Sequence, residues 1–175
     1  PGEIIHLAWA YFQNGQTDEA HELLRGIVDT HFMSDTPGSV GHLLNATGMG
    51  DGTQDFADTV SMYLRLVVEG VYGIRFHLLE DRIDIAPGFP RDWDHARLQT
   101  RDYSMEYRRV GEVEELEFTS QQLVKRVLRL PMRGTSVSSV TLNGVQVPYR
   151  LEPGIGRCYI VVEADKPGAL KLRVE

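Results

Sequence analysis

The first third of the chain carries its apolar positions with the period of a helix. Residues 3–14, EIIHLAWAYFQN, spread Ile4, Ile5, Leu7, Ala8, Trp9, Tyr11 and Phe12 around almost the whole circumference, so this predicted helix wants cover on several sides. Gly15 ends it in the left-handed role that glycine fills best. Thr17 reads as the N-cap of a second helix, with Asp18 and Glu19 at the positive end of its dipole. There Ala20, Leu23, Leu24, Ile27, Val28 and Phe32 recur at steps of three and four and leave one face wet. From Met33 to Gly52 the sequence MSDTPGSVGHLLNATGMGDG has no such period. A loop of that length is uncommon in a compact domain and is usually functional or disordered. TQDFADTVSMYLRLVVEGVYG then predicts a third, mostly apolar helix capped by Thr53. One polar stripe survives on it, through Gln54, Asp58, Ser61, Arg65 and Glu69.

Gly70 and Gly73 stop the third helix, and after Gly73 the period drops to two. Ile74, Phe76 and Leu78 alternate with Arg75 and His77, Glu80 and Asp81 make a tight turn, and Ile83 and Ile85 alternate with Arg82 and Asp84. Pro87 and Pro90 hold the next loop extended. Further alternating runs fall around Ala96–Thr100, Tyr103–Tyr107, Val113–Phe118, Val124–Leu130, Val137–Leu142, Val145–Tyr149, Tyr159–Val162 and Leu170–Val174, with an Asn143–Gly144 hairpin turn among them. Many short strands with turn signals between them predict an antiparallel β-sandwich. The expectation is an α+β chain, with helices in 1–73 and a sandwich in 74–175. The helices alone cannot bury themselves: at about 25 cal/mol per Å² of apolar surface, wet faces of this kind cost several kcal/mol. Their cover is expected from the remaining, N-terminal part of a longer protein or from self-association.

Charge and composition trim the functional classes. A net charge of −7, with basic residues interleaved among acids, argues against nucleic acid as a partner. No apolar run approaches a membrane span, so no membrane partner is expected. The chain begins at Pro1 and reads as a fragment or a processed piece, which leaves its location open. Cys158 is the single cysteine and is expected as a small buried hydrophobe. His6, His21, His31, His42, His77 and His95 form no HxxxH or HxH set, so no metal is expected. No phosphate loop, dinucleotide fingerprint or nucleophile elbow is present, and no cofactor is expected.

Three pieces together resemble a known family: GQTDEAHELL, VEGVYGIR and RIDIAPGFPRDWD, spread over roughly Gly2 to Asp94. With their order of inner helix, outer helix, long loop, inner helix and sandwich, they are similar to the tail of six-hairpin glycosidases. These are (α/α)6-barrel enzymes with a C-terminal sandwich, such as bacterial α-L-rhamnosidases and sugar phosphorylases of similar architecture. The resemblance implies three helices of an incomplete barrel, a carbohydrate substrate, and hydrolysis of a glycosidic bond by two carboxylates. It implies too that the polar stripe is an ion-pair network buried in the barrel. The alternative is a non-catalytic sandwich that binds carbohydrate or protein, with a helical docking segment.

In that barrel the starts of inner helices and the loops before them line the sugar cleft. Chain direction then gives Glu3, Asp35, Asp51 and Asp55 access to substrate, with Asp55 the first choice for a catalytic carboxylate and Glu3 and Asp51 behind it. His42, Asn45 and Gln54 are the candidates for sugar hydroxyls. Asp51 in its Gly-Asp-Gly turn and Asp55 in a first helical turn also suit local backbone needs whatever the chemistry. Trp9, two turns inside an apolar helix, is expected in the core. Rhamnosidase-like relatives carry a Trp-Glu-x-Trp type motif in this last loop, and Met33–Gly52 has neither Trp nor Glu. The family's usual base is therefore replaced, supplied from elsewhere, or absent.

Overall fold

The computed structural model describes residues 2–32, 43–44, 50–51, 57–165 and 168–175. The chain divides into two compact units, Pro1–Gly73 and Ile74–Glu175.

In the first unit α1 (Gly2–Gln13) and α2 (Thr17–Ile27) form a helical hairpin. Gly15, at φ 77°, makes the turn between them. Its amide bonds to the Phe12 carbonyl and that of Gln16 to Tyr11, which satisfies carbonyls that the end of α1 would leave bare. The N-cap of α2 is Gln16, without a side-chain hydrogen bond, rather than Thr17. Thr17 is already inside the helix, buried, with its hydroxyl unbonded. The last turn of α2 widens into a π turn over Val28–Phe32. The two-residue strands β1 (Leu43–Leu44) and β2 (Gly50–Asp51) pair antiparallel.

Helix α3 (Ala57–Arg65) widens likewise into a π turn, Leu66–Val71. It runs parallel to α1. Met62 lies beside Gly2 at the start of α1, and Gly70 lies beside Phe12 at its end. Gly73, at φ 66°, ends the helical unit. Gly70 has a different job from a stop signal: a Cβ there would sit 2.6 Å from the Phe12 ring, so only glycine admits this approach. The all-round burial expected of α1 is not present. Ile5, Ala8 and Phe12 are buried on one face, while Leu7 is 47% exposed.

The second unit is all strand apart from one short turn of 3-10 helix. Chain order gives β3 (Ile74–His77), β4 (Arg82–Ile85), β5 (His95–Gln99), β6 (Tyr103–Val110), β7 (Val113–Ser120) and β8 (Lys125–Pro131). Then come β9 (Val140–Leu142), β10 (Val145–Gln146), β11 (Arg150–Gly154), β12 (Arg157–Ala164) and β13 (Ala169–Val174). They make a six-stranded sheet, β10-β9-β13-β7-β6-β5, and a five-stranded sheet, β11-β12-β8-β4-β3. Ring contacts close the gap between the sheets. Phe76 of β3 meets Tyr103 of β6 at 5.2 Å, and the Arg126 guanidinium of β8 lies 5.6 Å above the Phe118 ring of β7. Alternate residues such as Ile83, Ile85, Met105, Leu116, Leu128 and Leu172 fill the space between.

The sandwich departs from the sequence expectation in four places. One pair, β4 with β8, is parallel, because the chain leaves the five-stranded sheet for β5, β6 and β7 before it returns. The connection after β3 is longer than a tight turn: a 3-10 turn Leu78–Glu80 and then Asp81 at φ 50°. The hairpin at Asn143 and Gly144 is tight, with both residues at positive φ, but its strands stop at Leu142 and Gln146. Strand β11 lacks an alternation signal and holds Pro153; it survives because it is a sheet edge.

Candidate functional site

The residues singled out from the sequence divide by what the structure describes. Glu3 stands exposed in the first turn of α1. Asp51 ends β2, opposite Leu43. Asp35, Asp55, His42, Asn45 and Gln54 lie outside the described residues, as does the Thr53 cap. Of the polar stripe on α3, Asp58, Ser61 and Arg65 are exposed, so in this chain it is not a buried network. Arg65 pairs with Glu69 at 2.8 Å and lays its guanidinium 4.2 Å above the Trp9 ring. Trp9 is half-buried rather than core, and its indole N–H finds no acceptor.

The densest polar architecture among the described residues is on the sandwich. Alternation on the five-stranded sheet sends Ile83, Ile85, Leu128 and Leu130 inward. It sends Arg75, Arg82, Asp84, Lys125, Arg129 and Glu163 to the opposite face. There they line a trough of about 420 Å³ that crosses the sheet. Two ion-pair chains run along it. In the first, Glu80 holds Arg82 at 3.1 Å, Arg82 lies 2.9 Å from Asp84, and Asp84 lies 3.3 Å from His77. In the second, Lys125 meets Glu163 at 2.6 Å, Glu163 meets Arg150 at 2.7 Å, and Glu152 lies between Arg150 and Arg129, 2.9 Å from the latter. Arg129 also stacks 3.7 Å above the buried Tyr159 ring. Gly154 makes that ring position possible, since a Cβ there would come within 2.4 Å of Tyr159.

A second cavity, about 470 Å³, gathers Arg91, Arg109, Arg133 and Arg157 around Glu112 and Cys158. Arg109 pins the Pro-rich loop by donating to the carbonyls of Arg91, Trp93 and Gly111. Phe89 of that loop is buried against Tyr107 at 4.9 Å and Trp93 at 5.8 Å. Cys158 is half-buried on the cavity wall rather than a buried core residue. At the cavity wall the half-buried Arg133 joins two buried residues, Tyr107 and Glu114. Tyr107 donates to Glu114 at 2.6 Å, and Arg133 donates to the same oxygen at 3.0 Å. Burial and the Glu114 charge push the Tyr107 hydroxyl well above its ordinary range. Burial works against the Arg133 charge, but Glu114 outweighs it and raises the guanidinium.

Four carboxylates of the sandwich are tuned as anions. Glu163 is held below its ordinary range by hydrogen bonds from Lys125 and Arg150, and Glu115 by Lys171 and Arg173. Asp94 is lowered by His95 and Glu175 by Arg173. A general acid working near neutrality needs the opposite, a carboxyl whose charge is disfavoured. These four groups suit binding and pairing. Among the described residues no cluster of His, Cys, Asp and Glu has the makings of a metal site, and no helix is long and apolar enough to cross a membrane.

With this geometry in hand, comparison with known proteins gives one direction. No family model matches the sequence, and no curated protein matches it. The fold, however, is similar to that of a solved α-L-rhamnosidase from Dictyoglumus thermophilum, with a TM-score of 0.50 and 16% identity. The match covers 75% of this chain and 15% of the rhamnosidase chain. The likeness is one of fold alone, and this chain spans about 15% of the length of the rhamnosidase chain.

The sequence reading missed the trough. Its signal was present as charge at every second position, Arg75 and His77, Arg82 and Asp84, Lys125 and Arg129. What period two does not tell is which strands become neighbours. Placing β8 beside β4 and β12 takes the crossover through the other sheet.

Proposed function

We propose that this chain is the C-terminal portion of a six-hairpin glycoside hydrolase, three helices of an (α/α)6 barrel followed by the terminal sandwich. The observation that carries the reading is the fold likeness to the rhamnosidase, which takes in 75% of this chain. Two features support it. Helices α1 and α3 run parallel and pack on each other, and α2, which follows α1 in the chain, packs on α1, an arrangement that fits the repeat unit of such a barrel. Leu7 and Leu64 stay 47% and 59% exposed, as residues do that await a neighbouring helix. On this reading Asp55, Glu3 and Asp51 stand at the barrel end that holds the cleft, and His42, Asn45 and Gln54 beside them take sugar hydroxyls. The reaction is hydrolysis with one carboxyl as acid and another as base or nucleophile. The test is hydrolysis of a panel of aryl glycosides, α-L-rhamnoside included, by the intact protein. Asp55→Asn or Glu3→Gln is expected to lower the chemical rate by several orders of magnitude with folding nearly unchanged. An intact protein that cleaves nothing in the panel would overturn the proposal.

A second reading, a sandwich that binds carbohydrate without cleaving it, is favoured by the trough. Its Glu163 carboxylate is held as an anion by Lys125 and Arg150, and its donors and acceptors alternate. The 175-residue chain binding oligosaccharides while the intact protein cleaves none would select it.

A further inference from the structure

We infer that the trough on the five-stranded sheet is a binding site for an acidic saccharide, a sugar bearing a carboxylate or sulfate oxyanion. The inference rests on the carbohydrate reading of the sandwich and names its ligand class.

Three observations converge on it. The first is a charge excess. Arg75, Arg82, Lys125, Arg129 and Arg150 line a cavity of about 420 Å³ with Asp84, Glu152 and Glu163, and Glu80 answers Arg82 beside it, so the cations outnumber the carboxylates by one. The chain as a whole carries −7, so this excess is local and against the trend. A concave site in which one sign of charge prevails favours a ligand of the other.

The second is Arg75. Each of the other four cations has a carboxylate in one of the two ion-pair chains. Arg75 stands on β3 opposite Asp84, yet among the described residues it forms no ion pair, and its Nε is shielded from solvent without an acceptor. A guanidinium kept half-buried and unpaired is ready to take an oxyanion through two parallel N–H donors.

The third is that the unbonded polar atoms gather here. Arg75 Nε, Arg82 Nε, Asp84 Oδ1 and Arg129 Nε are all shut off from solvent without a hydrogen bond, and all four residues line the trough. Arg82 Nε and Asp84 Oδ1 are 2.9 Å apart, near enough for charge attraction, but not aligned for a hydrogen bond. Arg82 Nε and Asp84 Oδ1 face each other, which leaves Arg75 Nε and Arg129 Nε as donors that a small turn of the guanidinium would present to an accepting ligand. Sugar hydroxyls accept, and the oxyanion answers Arg75. Tyr159, the aromatic ring of this face, is covered by Arg129, so recognition runs through charge and hydrogen bonds and not through stacking. The volume is within the range of small-molecule sites, about 300–1,000 Å³.

The test is titration of the 175-residue chain, by calorimetry and by amide NMR shifts, with trigalacturonate, a sulfated trisaccharide, a neutral galactotriose and inorganic sulfate. The expected result is that one or both acidic trisaccharides bind, shifting amides of β3, β4 and β8, with affinity that falls as salt rises. Arg75→Gln is expected to weaken them about tenfold or more, the usual cost of one charge-assisted contact. Arg108→Gln, on the other sheet, is expected to leave them unchanged. If Arg75→Gln does not fold, Arg129→Gln carries the same expectation. Equal binding of galactotriose overturns the acidic ligand and leaves the carbohydrate reading standing. Inorganic sulfate binding as tightly as either acidic trisaccharide overturns the saccharide. Absence of binding by all four probes overturns the inference and the carbohydrate reading together.

Discussion

The two units treat the same problem, covering apolar surface, in different ways. The sandwich brings the inner faces of its two sheets together within itself, and its exposed apolar residues, such as Leu79, Val110, Leu123 and Ile155, stand at turns and strand ends. Even its buried charges are answered: Glu114 by Arg133 and Tyr107, and Arg126 by the carbonyls of Val124 and Gln122. The helical unit leaves Leu7 and Leu64 in solvent, and its Trp9 N–H and Thr17 hydroxyl make no hydrogen bond. Closing a core takes two layers that face each other. Two sheets supply them, whereas three helices whose apolar residues point several ways do not. The lesson is that a unit's unsatisfied groups say what it was built to meet. In the helical unit they are two exposed leucines, the Trp9 N–H and the Thr17 hydroxyl, which on the proposed reading would meet further helices. On the sandwich they are the guanidinium of Arg75 and its neighbours, and ask for a ligand.

The contrast breaks most sharply at Glu114. Replacing it by Ala leaves the half-buried Arg133 and the buried Tyr107 hydroxyl with nothing to answer them, which costs about 3–5 kcal/mol. The two tryptophans report separately, Trp9 in the helical unit and Trp93 in the sandwich. In urea, Glu114→Ala should lower the Trp93 transition far more than the Trp9 transition. An unchanged Trp93 transition would mean that the trio contributes nothing to the sandwich.

In the helical unit the corresponding weak point is Gly70. The added Cβ of Gly70→Ala would lie 2.6 Å from Phe12 and 3.3 Å from Leu66. Overpacking of this kind costs about 1–3 kcal/mol, while the helix preference of Ala over Gly returns at most about 1. Net destabilisation read by Trp9 is expected, with relief in Gly70→Ala combined with Phe12→Leu. A Gly70→Ala chain as stable as the parent would show that α1 and the end of α3 are loosely packed.

A titration sharpens the contrast at high pH. The folded-state affinity of Tyr107 for its proton is raised above the ordinary value of 10.0, first by burial and then by Glu114. Its contribution is therefore fully present below pH 10 and is lost as pH rises beyond it, at about 1.4 kcal/mol per pH unit. Tyr63 and Tyr72 in the helical unit are raised in the same direction, by burial. The sandwich should still fall faster above pH 10, and Tyr107→Phe should flatten its slope. Parallel slopes for parent and variant would remove Tyr107 from the account.

What was legible in the sequence follows the same division. The change from a period near four to a period of two around Gly73 gave helix before it and strand after it, because periodicity is a local property. Gly15, Gly73 and the Asn143–Gly144 turn were legible too, since a positive φ selects those residues. Helix packing was not: Gly70 looks like a stop signal until Phe12 is seen against it. Strand neighbours were not legible either, so the trough, assembled from five strands, stayed hidden although each charged position was in view. Strand β11 was lost because Pro153 and Gly154 are poor strand formers, and Gly154 is set by the Tyr159 ring rather than by turn geometry.

The smallest expected change in stability is the one that tests the contrast most directly. Leu64 is 59% exposed and Leu7 47%, so replacing both by Glu removes little burial from this chain. Substitutions at such surface positions shift stability by about 0.5 kcal/mol or less. Association should respond much more. If the helices carry faces meant for a neighbour, the parent chain is expected to self-associate or to bind an apolar dye. The Leu7→Glu and Leu64→Glu double variant is then expected to sediment as a monomer and to lose the dye, because a charge set into an apolar contact must give up its water without a partner. Sedimentation velocity over a range of concentrations separates the cases. A parent chain that is monomeric throughout, binds no dye and behaves like its double variant would make the helical unit as self-sufficient as the sandwich. The two exposed leucines would then be ordinary surface residues, and the barrel reading would lose the support it draws from them.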